Sequence, residues 1–308
     1  WYSGFIQLLQ PTLASAQTGD RDWAKSVLAS HFRGLWTFAR CFDLLEQIVR
    51  DYGQAGQWPE IWLSIKKTLH YDSTRLSQKT MSRLQSLEKF TAPQDLLAEI
   101  RSYALLQAWE HVDLRAGDFQ ENMENMRQRV CALGEMAAAN PDILDDLGAA
   151  IWTSNSNAVQ WFGEGLAKVA EHRETVFDRL ASSFAAHVTE KSNPHVLAGF
   201  IGCIHSTAST QAQEMIMLAL QVPGLKRHAV PLLSAAPITP WAFACLLQLA
   251  QSGELAATSF EYLGFGRIHE AIPDSEFASL LSAILALDDG YLAIIDLLHM
   301  RFHEMEAR

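Results

Sequence analysis

The chain has 308 residues, of which 49% are hydrophobic and 19% are charged, and this apolar content excludes a disordered polypeptide. No apolar run approaches the roughly 20 residues that a membrane span needs, since the most apolar stretch, FASLLSAILALDDGYLAIIDLL, is interrupted by Asp288, Asp289 and Gly290. The four cysteines are widely scattered without a CxxC pair, which is typical of reduced core residues in a cytoplasmic protein.

The net charge of −11 is unevenly distributed along the chain. Residues 1–110 carry 12 Lys and Arg against 11 Asp and Glu, whereas residues 111–308 carry 12 against 24. An acidic surface repels nucleic-acid phosphates and anionic headgroups, which disfavours nucleic acid and membranes as partners. Together with the polar stretch HVDLRAGDFQENMENMRQ, this change predicts an N-terminal helical subdomain over 1–115 and a second, acidic helical region over 116–308.

A basic stripe is the first distinctive element in chain order. In STRLSQKTMSRLQSLEKF the cationic residues recur every four positions on one helical face, opposite an apolar face. The stripe consists of Lys66, Lys67, Arg75, Lys79 and Arg83. It is suited to binding phosphate or an acidic protein surface. The more common role is the solvated face of an amphipathic helix. Docking against the acidic portion of the same chain is a further alternative.

The segments that follow have apolar residues at helical spacing. In DLLAEIRSYALLQAWEHV the residues Leu96, Ile100 and Tyr103 follow a period near 3.6, and QEMIMLALQV and WAFACLLQLAQ are apolar nearly all round. Helix starts recur as a capping side chain before proline, at Asn140-Pro141, Asn193-Pro194 and Thr239-Pro240. No stretch alternates apolar and polar residues between hairpin turns, so no sheet is predicted.

Aromatic and glycine residues cluster around the polar turn TSNSNAVQ. Trp152 and Trp161 flank this turn and are our candidates for exposed protein-binding anchors, although core packing is the usual role of tryptophan at apolar helical positions. Gly163 and Gly165 in WFGEGLAKV lack the third glycine and the βαβ context of a phosphate loop. We interpret them, and the pair in LGFGRIHEA, as tight turns between helices.

The C-terminal stretch LLHMRFHEMEAR places His299 and His303 four residues apart on one helical face, as zinc sites require. The glutamate that must follow the first histidine of HExxH is absent, because Met300 occupies that position. A third ligand, such as His269, is not required by the spacing. We expect a solvated or capping role for these histidines, with a helical metal-dependent enzyme as the alternative.

Catalytic motifs are absent from the sequence: there is no GxxxxGK[ST] loop and no GxSxG elbow. We therefore predict a chain that is not an enzyme and needs no cofactor. The pattern predicts short helices joined by short turns, and a chain of 308 residues contains too many of them for one bundle. They predict an all-α fold, an irregular α-solenoid of antiparallel helix pairs of the HEAT-like kind, without a sheet.

Several short sequence segments occur in the same order along the chain as similar segments do in one protein family. They are WPEIWLSIKKTLHYD, LQSLEKFTAPQDLLAEIRSYAL, WFGEGLA, LAGFIGCI, YLGFGRIHEAI and AIIDLLHMRFH. In this order they resemble the helical C-terminal sensor region of large bacterial signalling NTPases of the STAND type, many of which are antiphage defence proteins. The resemblance implies a missing nucleotide-binding module and effector domain, and a foreign protein as ligand. The start WYSGF, without an initiating methionine, likewise leads us to expect a piece of a longer polypeptide.

Our leading functional hypothesis is a cytoplasmic protein-recognition region, a sensor or scaffold, because stacked helix pairs form extended surfaces suited to protein ligands. We expect the partner to be a protein, which the resemblance suggests is foreign or encoded by a phage, and self-assembly through the full-length protein is a further alternative. The first alternative is a nucleic-acid-binding module that uses the basic stripe. The second alternative is the metal-dependent enzyme built on the terminal histidines.

Overall fold

The computed structural model describes residues 2–107, 111 and 118–302 of the chain. Across these residues the backbone is helical and contains no strand, so the all-α prediction is confirmed. Among the helices of the described ranges, none combines the length and the apolarity that crossing a bilayer requires. Contacts group the chain into two compact units, Trp1–Leu133 and Gly134–Arg308.

Within its described residues, the first unit contains six complete helices and the start of a seventh, with a 3-10 turn at Gln54–Gly56. The helices are α1 (Tyr2–Leu13), α2 (Thr18–Thr37), α3 (Phe42–Tyr52), α4 (Pro59–Asp72), α5 (Gln78–Thr91), α6 (Leu96–Tyr103) and α7 (Phe119–Ala138). Its core centres on Trp36, which stacks on Phe32 at 5.5 Å and meets Phe42 edge-on at 5.1 Å. Trp58 and Ile65 of the same cluster are also fully buried.

Up to residue 302, where the description ends, the second unit contains the C-terminal end of α7 and eleven further helices, with a long 3-10 segment at Ala257–Ala271. The helices are α8 (Asp142–Leu147), α9 (Ala150–Thr153), α10 (Ala158–Val169), α11 (Arg173–His187), α12 (His195–His205), α13 (Ser209–Gln221), α14 (Pro223–Lys226), α15 (Ala229–Leu233), α16 (Pro240–Ser252), α17 (Asp274–Leu285) and α18 (Gly290–Phe302). The arrangement of the helices into an irregular, HEAT-like α-solenoid stays a prediction.

Side chains at the helix starts follow the predicted chemistry in part. The Thr239 hydroxyl accepts a hydrogen bond from Ala242 N at 3.2 Å, and Pro240 opens α16, as the sequence predicts. The Asn140 amide instead donates to the Met136 carbonyl behind it, so its predicted capping role for α8 is wrong. The Asn193 amide oxygen accepts from the backbone N–H of His195, the first residue of α12.

Glycines bring α10 and α12 into close contact. A Cβ on Gly163 would lie 2.1 Å from the carbonyl oxygen of Val196, and one on Gly199 would lie 1.9 Å from that of Gln160. Both distances are far below van der Waals contact, so only glycine permits this approach. Gly163 and Gly165 therefore lie inside α10, and their predicted placement in a turn between helices is wrong.

The two units differ in charge. Trp1–Leu133 contains 15 Lys and Arg and 15 Asp and Glu, whereas Gly134–Arg308 contains 9 against 20. The second unit therefore accounts for the whole net charge of −11. The division between the units lies inside α7, and the boundary that we predicted at residues 115 and 116 lies outside the described residues.

Candidate functional site

The arginines of the basic stripe engage carboxylates of their own unit. Arg83 donates to Asp43 Oδ1 at 2.6 Å and to Glu46 Oε2 at 2.8 Å. Arg75 lies 4.0 Å from Asp72 Oδ1. These carboxylates belong to the charge-balanced first unit, not to the acidic portion of the chain that we considered as a docking surface for the stripe. They engage two of the guanidinium groups that the nucleic-acid hypothesis would use for phosphate contacts.

The lysines of the stripe have different environments. Lys66 is half-buried, with its ammonium 4.5 Å from the centroid of the Trp62 ring, and burial lowers its pKa. Lys67 is half-buried and Lys79 is exposed. The five cationic residues therefore do not form one uniformly exposed face.

The histidines of the alternative, metal-dependent hypothesis are not brought together in the described part of the chain. His299 lies on the exposed face of α18, and His303 falls outside the described residues. His269 is fully buried, and its Nδ1 lies 3.1 Å from the Leu263 carbonyl oxygen. Within residues 2–107, 111 and 118–302, no three His, Cys, Asp or Glu side chains are placed to hold a metal ion.

The two candidate tryptophans differ in burial. Trp152 is fully buried, packs edge-on against Phe184 at 5.3 Å, and donates its indole N–H to Ser183 Oγ at 3.1 Å. It belongs to the core, so its predicted role as an exposed anchor is wrong. Trp161 is half-buried and lines an open groove of the second unit.

This groove, which we call the aromatic groove, has a volume of about 690 Å³. Four rings line it: Trp161 of α10, His195 at the start of α12, and Tyr262 and Phe265 of the 3-10 segment. Tyr262 lies edge-on to His195 at 6.4 Å and tilted against Phe265 at 5.9 Å. Phe265 is 67% exposed, although it is one of the largest apolar side chains.

The helix packing positions these rings. The apolar face of α10 is buried through Val159, Phe162 and Leu166, which leaves Trp161 on the opposite side toward the groove. Because glycines allow α12 to cross α10 closely, His195 is held against the same opening.

Polar groups in the groove are neutral or unpaired. Burial lowers the pKa of His195 and raises the pKa of Tyr262, so both side chains are uncharged at neutral pH. The Ser234 hydroxyl lines the groove, is buried, and has no hydrogen-bond partner among the described residues. Asn157 and Gln160 also line the groove. The walls thus offer aromatic faces and a few hydrogen-bonding groups, as ligand sites generally do.

A smaller side groove of about 370 Å³ shares Tyr262 and Phe265 with the aromatic groove. Glu190, Glu261, Arg227 and His228 line it. Burial, and secondarily the charge of Arg227, lowers the pKa of His228 to about 4.

The guanidinium of Arg227 is engaged within the protein. It donates to the carbonyl oxygen of Thr189 and, through Nε, to His228 Nε2 at 3.2 Å. The two glutamates therefore supply the remaining charge of the side groove among the described residues.

A separate apolar cavity of about 520 Å³ lies in the first unit. Tyr2 and Phe5 of α1 line it together with His31, Leu35 and Phe38 at the other wall. Phe38 is 65% exposed. This cavity provides a chemically comparable surface against which the aromatic groove can be tested.

Sequence reasoning identified Trp161 but missed Tyr262, Phe265 and His195. One signal was present: Phe265 stands between Gly264 and Gly266, where a large ring without local packing neighbours is unusual. In comparisons with protein-family models, with curated proteins and with solved structures, no match was found.

Proposed function

We propose that the chain is a protein-recognition region, acting as the sensor or scaffold part of a larger bacterial signalling or defence protein. The observation that carries this proposal is the aromatic groove of the second unit, where Trp161, Tyr262 and Phe265 line one open cavity. Tyrosine and tryptophan are the residues most enriched at the energetic centres of protein interfaces. An aromatic ring as exposed as Phe265 loses more water contact on binding than a core ring does.

The charge of the second unit supports a protein ligand with basic character. This unit carries 20 Asp and Glu against 9 Lys and Arg. Such an excess repels phosphate backbones and accelerates the approach of a positively charged polypeptide. The resemblance to STAND-type sensor regions favours the same class of ligand and suggests that the ligand is foreign.

The experiment is affinity capture from bacterial lysates, with and without phage infection, followed by mass spectrometry. Three baits are compared: the unmodified chain, Phe265→Ser in the aromatic groove, and Phe38→Ser in the cavity of the first unit. The two phenylalanines are matched in exposure, at 67% and 65%. Each variant is first checked for an unchanged thermal unfolding transition.

We expect a near-stoichiometric protein that the unmodified chain and Phe38→Ser retain and that Phe265→Ser loses. A protein found only after infection supports the sensor role, and one found in both lysates supports the scaffold role. Retention that is equal for all three baits, or loss with Phe38→Ser alone, contradicts recognition through the aromatic groove.

A further inference from the structure

The rings of the aromatic groove are arranged to face a cation. A guanidinium or ammonium is attracted to an aromatic face when it lies within about 6 Å of the ring centroid. Tyr262 and Phe265 have centroids 5.9 Å apart with their planes inclined by 57°, so one group against their groove side can lie close to both rings. Trp161 lines the same cavity and has the strongest ring for this interaction.

Similar contacts between a cation and an aromatic face occur elsewhere within the protein. Arg129 lies 3.9 Å from the centroid of Tyr103, and Arg301 lies 4.5 Å from that of Phe277. Neither Tyr262 nor Phe265 has such a partner among the described residues.

The surrounding charges favour a positive ligand. Glu190 and Glu261 line the adjoining side groove, and the second unit as a whole has a large acidic excess. The two histidines at the rings, His195 and His228, are neutral at pH 7 because burial lowers both pKa values. Arg227 is the one cation among the described lining residues, and its guanidinium is already bound to Thr189 and His228.

Hydrogen-bonding groups for a guanidinium are also present. The buried Ser234 hydroxyl has no partner in the described part of the chain, and Gln160 lines the same cavity. Arginine carries five N–H donors in a planar fork, whereas lysine carries a compact ammonium. Arginine therefore uses both the ring faces and these oxygen acceptors.

We propose that the aromatic groove binds an arginine side chain presented by an extended basic segment of the partner protein. This inference rests on the proposed function, because it specifies which side chain of the partner the recognition region binds. The arginine places its guanidinium over Tyr262 and Phe265, and neighbouring basic residues of the segment face the acidic surface of the second unit.

The test begins with a displayed library of random twelve-residue peptides selected against the full chain. The tightest peptide is synthesised with each arginine replaced in turn by citrulline, which keeps the shape and loses the charge, and by leucine. Affinities are measured by fluorescence anisotropy for the unmodified chain, Tyr262→Leu, and the matched control Tyr291→Leu, whose ring is exposed on α18. Phe265→Ser serves as a second groove variant, because its exposed ring contributes little to folding.

We expect one arginine whose replacement by citrulline weakens binding by about 5- to 30-fold for the unmodified chain and for Tyr291→Leu. For Tyr262→Leu and Phe265→Ser, the ratio of the affinity for the arginine peptide to that for the citrulline peptide should fall toward one. If citrulline or leucine binds equally well while the groove variants still weaken binding, the groove recognises a peptide but not a cation, and this inference fails alone. If no groove variant affects any selected peptide, the proposed function fails with it.

Discussion

Arg33 holds the buried carboxylate of Asp72 through two parallel hydrogen bonds, from Nε to Oδ2 at 2.8 Å and from Nη2 to Oδ1 at 2.9 Å. The Thr37 hydroxyl donates to the same Oδ2 at 2.9 Å. The Asp72 side chain is fully buried, whereas that of Arg33 is 45% exposed. A desolvated carboxylate is thus compensated by a forked donor, which ties α2 to the end of α4.

We expect Asp72→Asn to lower the free energy of unfolding by about 2 kcal/mol, because the buried site then lacks the charge that its donors require. Asp43→Asn is the matched control: its side chain is 95% exposed, although it also pairs with an arginine. Its cost should stay below about 1 kcal/mol. Chemical denaturation of both variants measures the difference, and equal costs would contradict the structural role of the Arg33 pair.

Replacement of Gly199 by alanine tests the close crossing of α10 and α12. The added Cβ would meet the Gln160 carbonyl at 1.9 Å, and backbone cannot move aside as a side chain can. We expect a loss of about 2–4 kcal/mol in the free energy of unfolding, with weaker binding in the aromatic groove that this crossing supports.

Gly34→Ala is the control for this substitution. Gly34 lies within α2, and apart from its chain neighbours and its own helix backbone no atom of the described residues lies within 4 Å of an added Cβ. Alanine should therefore raise stability by up to about 1 kcal/mol through its higher helix propensity. A Gly199→Ala protein as stable as Gly34→Ala would show that the two helices are farther apart than described.

The two tryptophans near the TSNSNAVQ turn should separate stability from binding. We expect Trp152→Ala to cost about 3–5 kcal/mol in thermal or chemical unfolding, since a buried ring and its hydrogen bond to Ser183 are lost. Trp161→Ala should cost about 1 kcal/mol and should reduce peptide or partner binding. An unstable Trp161→Ala protein would place that residue in the core instead.

The sequence allowed the helices to be predicted because their signals are local. Apolar spacing indicates which face of a segment is buried, and Thr239-Pro240 carries its own capping chemistry. Neither signal says which neighbour covers that face. Trp152 and Trp161 have similar local contexts, and tertiary packing, including that of α11 on Trp152, distinguishes them.

The candidate site depended on tertiary contacts that local patterns do not contain. The local sequence around Gly163 is compatible with a turn, and the requirement for glycine comes from α12, whose Val196 carbonyl approaches it closely. Tyr262 and Phe265 are distant in sequence from Trp161, and only the fold brings the three to one cavity. Exposure, which makes Phe265 informative, is likewise a property of the folded unit.

His228 should make stability depend on pH. Its pKa is about 4 in the folded protein, because of burial and then of Arg227, and about 6.5 in an unfolded chain. Between these values the unfolded chain binds a proton that the folded protein does not. The free energy of unfolding therefore decreases as pH falls from 6.5 to 4, and this contribution is constant above about pH 7.5.

The matched variant is His228→Gln, whose amide oxygen can still accept the hydrogen bond from Arg227 Nε. At pH 7.5 the difference in free energy of unfolding between the two proteins reflects packing alone, including the edge-on contact of His228 with Phe184. At pH 4.5 we expect the difference to shift by about 1–2 kcal/mol in favour of the variant, a value reduced for the partial solvent exposure of the ring. Urea denaturation at a series of pH values measures it, and parallel curves would mean that His228 is not held neutral by the fold.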